Sequence, residues 1–244
     1  MRMCGCEMSR RWETFRPGAS LLAGSDLFSG LSPDALSMIE RTSSAKRFAP
    51  EQRIIERDTR SRDVFFVVSG RARVLNYSVS GREIVLDDLS PGSCFGEVSA
   101  IDDQPRLVEV IATTDVTAAV IPQLVFKKAI ETYPQVALAV MRRLAQSIRA
   151  ADERIMDLST LPARQRVHAE VLRRARARMV SANEAEIAPI PVHSEIAGKA
   201  STTRETVARA INDLARRGIV SRKKTALRIN DVKALHEMIA ATHD

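Results

Sequence analysis

Cysteine is scarce in this chain: Cys4, Cys6 and Cys94 are the only three among 244 residues. Three thiols cannot form the framework of a disulfide-stapled secreted domain, and a reducing cytoplasm is the compartment they fit. Cys4 and Cys6 sit two apart, but two thiolates are too few for a closed zinc or iron–sulfur site. They are expected on a loose N-terminal tail, residues 1–20. The four histidines are scattered without ligand spacing, so no metal is expected. No nucleophile–base set stands out either, which argues against an enzyme. No apolar run approaches the roughly 18 residues of a membrane span. The opening "MRMCGCEMSRRWETFRPG" is basic and has no apolar segment before a cleavage site, so it does not read as a secretory signal.

What remains is the composition of a soluble globular protein, 45% apolar and 27% charged, with length for one large or two ordinary domains. The net charge of +7 is unevenly placed. Residues 1–157 carry 21 basic and 21 acidic side chains, whereas residues 158–244 carry 16 basic and 9 acidic. All the excess positive charge thus falls in the last 87 residues. A basic field confined to one small domain points to a polyanion partner.

Texture along the chain changes three times. Leu21 to Arg47 reads as mostly helical, with Ser32 as an N-cap before Pro33 at the first helical position. From Phe48 to Pro122, short β-rich runs such as "VFFVVSG" and "REIVLDDLSPG" alternate with turns, and Gly70, Gly81, Gly92 and Gly96 punctuate them. That pattern predicts an antiparallel barrel or sandwich. From Pro134 to Leu158 no glycine or further proline intervenes. Ala137, Met141, Leu144, Ile148, Ala151, Ile155 and Leu158 follow one another at spacings of 4 and 3 in alternation. This heptad seam predicts a long helix paired with a second copy, although a helix lying on its own barrel uses the same spacings. Pro162 marks a domain boundary. The organisation expected is a tail (1–20), a β domain (21–133), a dimerisation helix (134–158) and a basic C-terminal domain (159–244).

The stretch "VHSEIAGKASTTRETVARAINDLARRGIVSRKKTALRIND" reads as helix, tight turn, helix and a two-stranded wing. Thr202 or Thr203 caps the second helix, and Thr202 with Glu205 fits a capping box. Val207, Ala210, Ile211 and Leu214 form its inward face, and Gly218 ends it. Arg204, Glu205, Arg209 and Asn212 are left on the outside. A helix-turn-helix presents such positions to the major groove, where arginine pairs with guanine and glutamate accepts from the cytosine amino group. Lys223 and Lys224 at the wing tip suit phosphate contact.

These residues resemble the C-terminal domain of the catabolite-activator (CRP/FNR) superfamily of bacterial transcription regulators, and Arg204 to Arg209 match its catabolite-activator branch. The resemblance implies a half-site similar to TGTGA, with Arg204, Glu205 and Arg209 on bases and Thr203 and Thr206 near phosphates. The β-rich stretch "LSPGSCFGEVSAIDDQPRLVEV" is similar to the phosphate-binding cassette of cyclic-nucleotide-binding domains. The physics agrees with it. Gly96 lets backbone approach a ligand, a short helix offers free N–H groups to an anion, Arg106 can pair with a phosphate, and Glu97 can accept a ribose hydroxyl. Val98, Leu107 and Val108 complete the cassette, and Val74 and Leu86 in neighbouring β runs join the effector-binding set. The fold class implied is α+β: a jelly-roll-like cyclic-nucleotide-binding β-roll, a long dimerisation helix and a winged helix-turn-helix.

The chain departs from the family pattern in several places. Leu107 and Val108 stand where Ser, Thr or Ala is usual. The glycines expected near Glu51 and Asp58 are missing, though aspartate tolerates a left-handed turn. Counting back from Leu158 puts Ala151 and Asp152 at the base-contacting positions of the long helix, and Asp152 could accept from an amino group of adenine or guanine. The effector implied is cyclic AMP or cyclic GMP. Oxygen sensing by an iron–sulfur cluster lacks a fourth cysteine, and haem lacks an axial ligand, since His168 lies beyond barrel and long helix. Cys94 reads as a buried thiol. The function expected is a cytoplasmic, homodimeric, nucleotide-controlled regulator on double-stranded DNA, with RNA polymerase as a possible partner and no membrane. Two other readings are a regulator whose pocket has lost its ligand, with Glu97 and Arg106 as an internal salt bridge, and a nucleotide-binding module without DNA function.

Overall fold

The computed structural model describes residues 20–22, 24–79, 81 and 83–240, so Cys4 and Cys6 lie outside the described residues. The elements run α1 (Pro33–Arg41), β1 (Ser44–Phe48), β2 (Arg53–Ile55), β3 (Val64–Ser69), β4 (Ala72–Tyr77), β5 (Glu83–Leu89), β6 (Cys94–Phe95), α2 (Glu97–Asp102), β7 (Glu109–Ala112), β8 (Val116–Ile121), α3 (Gln123–Thr132), α4 (Pro134–Thr160), α5 (Ala163–Arg176), β9 (Ala185–Ile187), α6 (His193–Lys199), α7 (Arg204–Arg216), β10 (Val220–Arg222), β11 (Leu227–Ile229) and α8 (Val232–Ala240). Contacts divide them into two compact units. The first holds the chain up to Leu75 and Asp87–Leu144; the second holds Asn76–Leu86 and the chain from Ala145 onward.

The first unit is built on two four-stranded sheets, ordered β1-β8-β3-β6 and β2-β7-β4-β5. β3 is apolar on both faces because it separates two cores. Phe65 and Val67 point between the sheets, toward Ile55, Leu89, Phe95 and Val110. Val64 and Phe66 point the other way, toward Phe28, Ile39, Phe126 and Val140 of the helical layer. That two-sided burial accounts for the unbroken run "VFFVVS". Ser32 caps α1 as expected, its side chain accepting from the Ala35 amide, with Pro33 at the first position. Helix does not persist to Arg47, however: α1 ends at Arg41, and Ser44–Phe48 is an edge strand paired with β8. The polar sequence "SAKRF" hid a strand whose side chains are mostly half-buried.

In the second unit, α5, α6, α7 and α8 surround one core containing Val171, Ile196, Val207, Leu214, Ile229 and Leu235. The wing is a three-stranded sheet ordered β10-β11-β9, one strand more than the two expected. β9 was hidden because its three residues carry a charge in the middle, and Glu186 pairs across to Arg228. α8, which closes the core through Leu235, was not anticipated.

Candidate DNA-reading surface and effector site

α7 begins at Arg204, and its cap is Thr203, whose hydroxyl accepts the Thr206 amide at 3.3 Å. The alternative capping box from Thr202 to Glu205 is not formed, because Thr203 holds the extended backbone a cap requires and Glu205 is thereby the second helical residue. Val207, Ala210 and Leu214 are fully buried and Ile211 partly so. This stripe fixes the helix's rotation and leaves Arg204, Glu205, Arg209 and Asn212 exposed. Glu205 has its pKa lowered by its own backbone amide first and the Thr203 hydroxyl second, with Arg204 and Arg209 adding to the effect. It is therefore an ionised acceptor at neutral pH, as a contact to a base amino group requires. Gly218, at φ +74°, closes the helix: its amide donates to Ala215 and the Ile219 amide to Leu214, the Schellman pattern.

At the wing, Lys224 is exposed, while Lys223 donates to Glu186 at 2.5 Å. One of the two expected phosphate contacts thus already has a carboxylate partner. The turn between α6 and α7 is gripped by a residue the sequence did not flag. The Arg166 guanidinium donates to the carbonyls of Leu161, Ala200 and Ser201, and Ser201 sits at φ +48°.

The effector cassette lies in the first unit. β6 pairs with β3, and Gly96 follows it at φ +84°. A Cβ on Gly96 would lie 2.7 Å from the Arg106 Nη1 and 3.1 Å from the Asp63 carbonyl, so only glycine fits. Arg106 is 2% exposed. Its Nε donates to Ser61 Oγ at 3.1 Å, Nη1 to the Gly96 carbonyl at 2.8 Å and Nη2 to the Asp63 carbonyl at 2.6 Å, and it lies 5.9 Å over the Phe65 ring. Burial lowers its pKa against the pull of Asp63 and Glu97.

Glu97 is also buried, but its partner is Arg143 of α4, at 3.0 Å, not Arg106. Arg143 donates in addition to the Cys94 carbonyl. Burial opposes the Arg143 charge, yet the Glu97 carboxylate and Cys94 outweigh it and its pKa is raised. The internal Glu97–Arg106 bridge considered from sequence is therefore replaced by two separate arrangements. The sequence signal for Arg143 was a basic residue between seam positions Met141 and Leu144. Cys94 is buried as expected, and burial first, then Glu97, pushes its thiol well above the ordinary range, which leaves it unreactive.

Around this centre, Val98 and Leu107 are exposed at 39% and 64%, and Val108 is half-buried. Val74 in β4 stands opposite Val110 of β7, and Leu86 in β5 is 40% exposed. The C-terminal end of α2 is pinned by Asp103, at φ +61°, which accepts from Lys127 at 2.8 Å and Gln123 at 2.6 Å. Along α4, Met141, Ile148, Ala151, Ile155 and Leu158 are exposed, whereas Leu144 is half-buried against the helical-layer core. Ala151 and Asp152 are both exposed.

A two-sheet roll with a Gly-Glu-helix-Arg cassette, followed by a long helix and a winged helix-turn-helix, defines a ligand-sensing domain joined to a DNA-binding domain. Two family descriptions match in the same order: the cyclic nucleotide-binding domain over residues 45–133 and the Crp-like helix-turn-helix domain over residues 165–238. The cyclic AMP receptor protein of Thermus thermophilus is 27% identical over 89% of this chain and 98% of its own. The CRP-like cAMP-activated global transcriptional regulator of Mycobacterium tuberculosis is 24% identical over 88% and 96%. In fold, a CooA mutant from Carboxydothermus hydrogenoformans matches with TM-score 0.76 at 21% identity, covering 91% of this chain and 96% of that one. The chain belongs to the CRP/FNR family of transcription regulators.

Proposed function

We propose that this protein is a cytoplasmic homodimer that binds a TGTGA-like palindrome and is controlled by a cyclic nucleotide in its β-roll. The observation that carries the DNA half is the outward face of α7, where Arg204, Glu205 and Arg209 project from a helix whose opposite stripe is buried. Two arginines and an ionised glutamate match a G/C-containing half-site, Thr203 and Thr206 stand by phosphates, and Lys224 supports them from the wing. In the dimer, the exposed seam of Met141, Ile148, Ala151, Ile155 and Leu158 pairs with its copy. That pairing places two α7 helices on half-sites about 34 Å apart.

Effector control is supported by the cassette. Arg106 has five N–H donors and uses three within the protein, so two remain for phosphate oxygens. Glu97 accepts from Arg143 through one oxygen, which leaves the other for a ribose hydroxyl. The same pair ties the cassette to α4, the dimer helix. Both T. thermophilus and M. tuberculosis relatives are named for cyclic AMP, and Asp152 remains our assigned contact for the base, with Ala151 beside it. Repression or activation would follow from where the operator lies relative to RNA polymerase.

The DNA half is tested by fluorescence anisotropy on a palindromic duplex at fixed salt, comparing each single base change in the half-site. Glu205→Ala should flatten discrimination at one G·C pair, by about tenfold, and leave the others intact. A uniform loss across all positions would mean that Glu205 reads no base.

A further inference from the structure

The wing of the second unit carries carboxylates on the face that also carries its cations. Ala185 and Ile187 of β9 are buried, and strand alternation therefore turns Glu186 to the outer face of the sheet. There it stands opposite Arg228 of the central strand β11. Arg228 is not its partner, however: the Arg228 Nη2 donates to both carboxylate oxygens of Glu184, at 2.9 Å each. Glu186 is left for the wing tip, where its Oε2 accepts from Lys223 Nζ at 2.5 Å. The Lys223 side chain is 45% exposed and that of Glu186 35%, so water weakens the pair and a second anion can approach it. The backbone beneath is fixed, since the Lys223 amide donates to the Ala226 carbonyl and closes the turn. Only the ammonium group can change partners. Lys224, the next residue, is exposed and makes no ion pair among the described residues.

We propose that Glu186 competes with the DNA backbone for Lys223, and thereby sets how much sequence-independent affinity the wing supplies. The proposal rests on the DNA-binding reading above and adds to it a residue that restrains binding. Lysine is a compact point charge with three N–H donors, suited to a carboxylate and to a phosphate oxygen alike. While Nζ stays on Glu186, the pair is neutral and displaces no counterion from the duplex, and Lys224 is the wing's contact to the backbone. For Lys223 to reach a phosphate it must leave Glu186 unpaired beside a polyanion, and that repulsion opposes the gain. Phosphate contacts carry no sequence information, and their number sets the steepness of the salt dependence. Glu186 therefore restrains binding to all DNA alike and leaves base discrimination to α7. The charge in the middle of β9 that hid the strand in the sequence has this use at the surface.

The test measures binding of the full chain to a palindromic duplex and to a scrambled duplex by anisotropy, over a series of salt concentrations. Three variants are compared with the unsubstituted protein: Glu186→Gln, Glu186→Gln combined with Lys223→Gln, and Lys224→Gln. Glutamine keeps the size of the side chain in β9, so the sheet is retained. Glu186→Gln should tighten binding to both duplexes by about threefold at the lowest salt. It should also steepen the slope of log affinity against log salt by about 0.9, one further phosphate contact. Adding Lys223→Gln should return both quantities to those of the unsubstituted protein, because a neutral pair has been exchanged for two neutral side chains. Lys224→Gln should make the slope shallower by about 0.9. A Glu186→Gln protein that binds as before overturns the proposal. So does a gain that survives in the combined variant, which would be general repulsion by the carboxylate and not competition for Lys223. A combined variant with a shallower slope than the unsubstituted protein would mean that Lys223 already sits on a phosphate, and an unchanged slope for Lys224→Gln would take the wing off the backbone; either result also overturns it. If the unsubstituted protein binds the two duplexes equally, the reading of a palindrome fails, and the slopes still decide this proposal, because phosphate contacts need no preferred sequence.

Discussion

At Glu51 the backbone takes φ +65°, and at Asp58 it takes φ +62°. The family resemblance led us to expect glycines near both positions, and the left-handed turns are formed here without them. Aspartate bears that conformation more easily than glutamate. Glu51→Gly should therefore raise stability by up to about 1 kcal/mol, once the larger entropy of the unfolded glycine is set against the relieved strain. A lower urea midpoint for the variant would contradict it. His168 makes a second case. It is 2% exposed in α5 and neither ring nitrogen has a hydrogen-bond partner in the protein. Burial is the largest cause that lowers its pKa from 6.5 to about 4; Arg164 adds to it, Asp213 opposes and Arg217 adds again. The unfolded chain thus takes up a proton that the folded chain refuses. This contribution to stability is complete above pH 6.5 and is lost as pH falls toward 4. His168→Leu should flatten that part of the pH profile of thermal unfolding without lowering the neutral-pH midpoint, because it removes two unsatisfied buried nitrogens at similar volume. Nothing in the sequence distinguished this histidine from a surface one, because its burial arises only where α5 packs against the other helices of the second unit.

Among elements, α7 was the most legible. Its apolar spacing, its threonine cap and its closing glycine are local signals, and local signals survive folding unchanged. The choice of cap stayed open between Thr202 and Thr203 because the two are chemically alike and only backbone geometry, which selects Thr203, separates them. Thr203→Ala should cost about 1 kcal/mol, read as faster amide exchange at Val207 and Ala208. Unchanged protection there would mean that the turn held by Arg166 fixes the helix start without the cap. Harder to see were the short elements. β9 is only three residues long with a charge at its centre, the edge strand β1 is five residues long and mostly polar, and what defines them is a partner strand distant in sequence. The cassette shows the same limit. Gly96, Glu97 and Arg106 stand out within one short stretch, but Arg143, 46 residues beyond Glu97, is joined to it only by the fold. Ser61 and the Asp63 carbonyl, which hold Arg106, carry no mark in the sequence at all.

For the whole molecule, two features of the chain matter: a net positive charge confined to its C-terminal third, and an apolar seam left exposed on α4. Ile148 is 67% exposed and Ile155 59%, which suits burial against a second copy. If the proposed dimer forms through this seam, Ile148→Glu should be a monomer by light scattering where the unsubstituted protein is a dimer, while the thermal midpoint of each chain's own core barely moves. A variant that stays dimeric would place the contact elsewhere. The two halves also answer to different forces. DNA affinity should fall steeply with salt because phosphate contacts release counterions, whereas nucleotide binding at the buried Arg106 should be far less sensitive. Coupling between effector occupancy and DNA affinity is read from the DNA affinity of the full chain on a TGTGA-type palindrome at one fixed salt concentration, without nucleotide, with cyclic AMP and with cyclic GMP. We expect one nucleotide to raise affinity by about tenfold or more, a coupling of about 1.4 kcal/mol, and Arg106→Leu to remove that rise. Equal affinity under all three conditions would mean that nucleotide and DNA binding are not coupled in this protein.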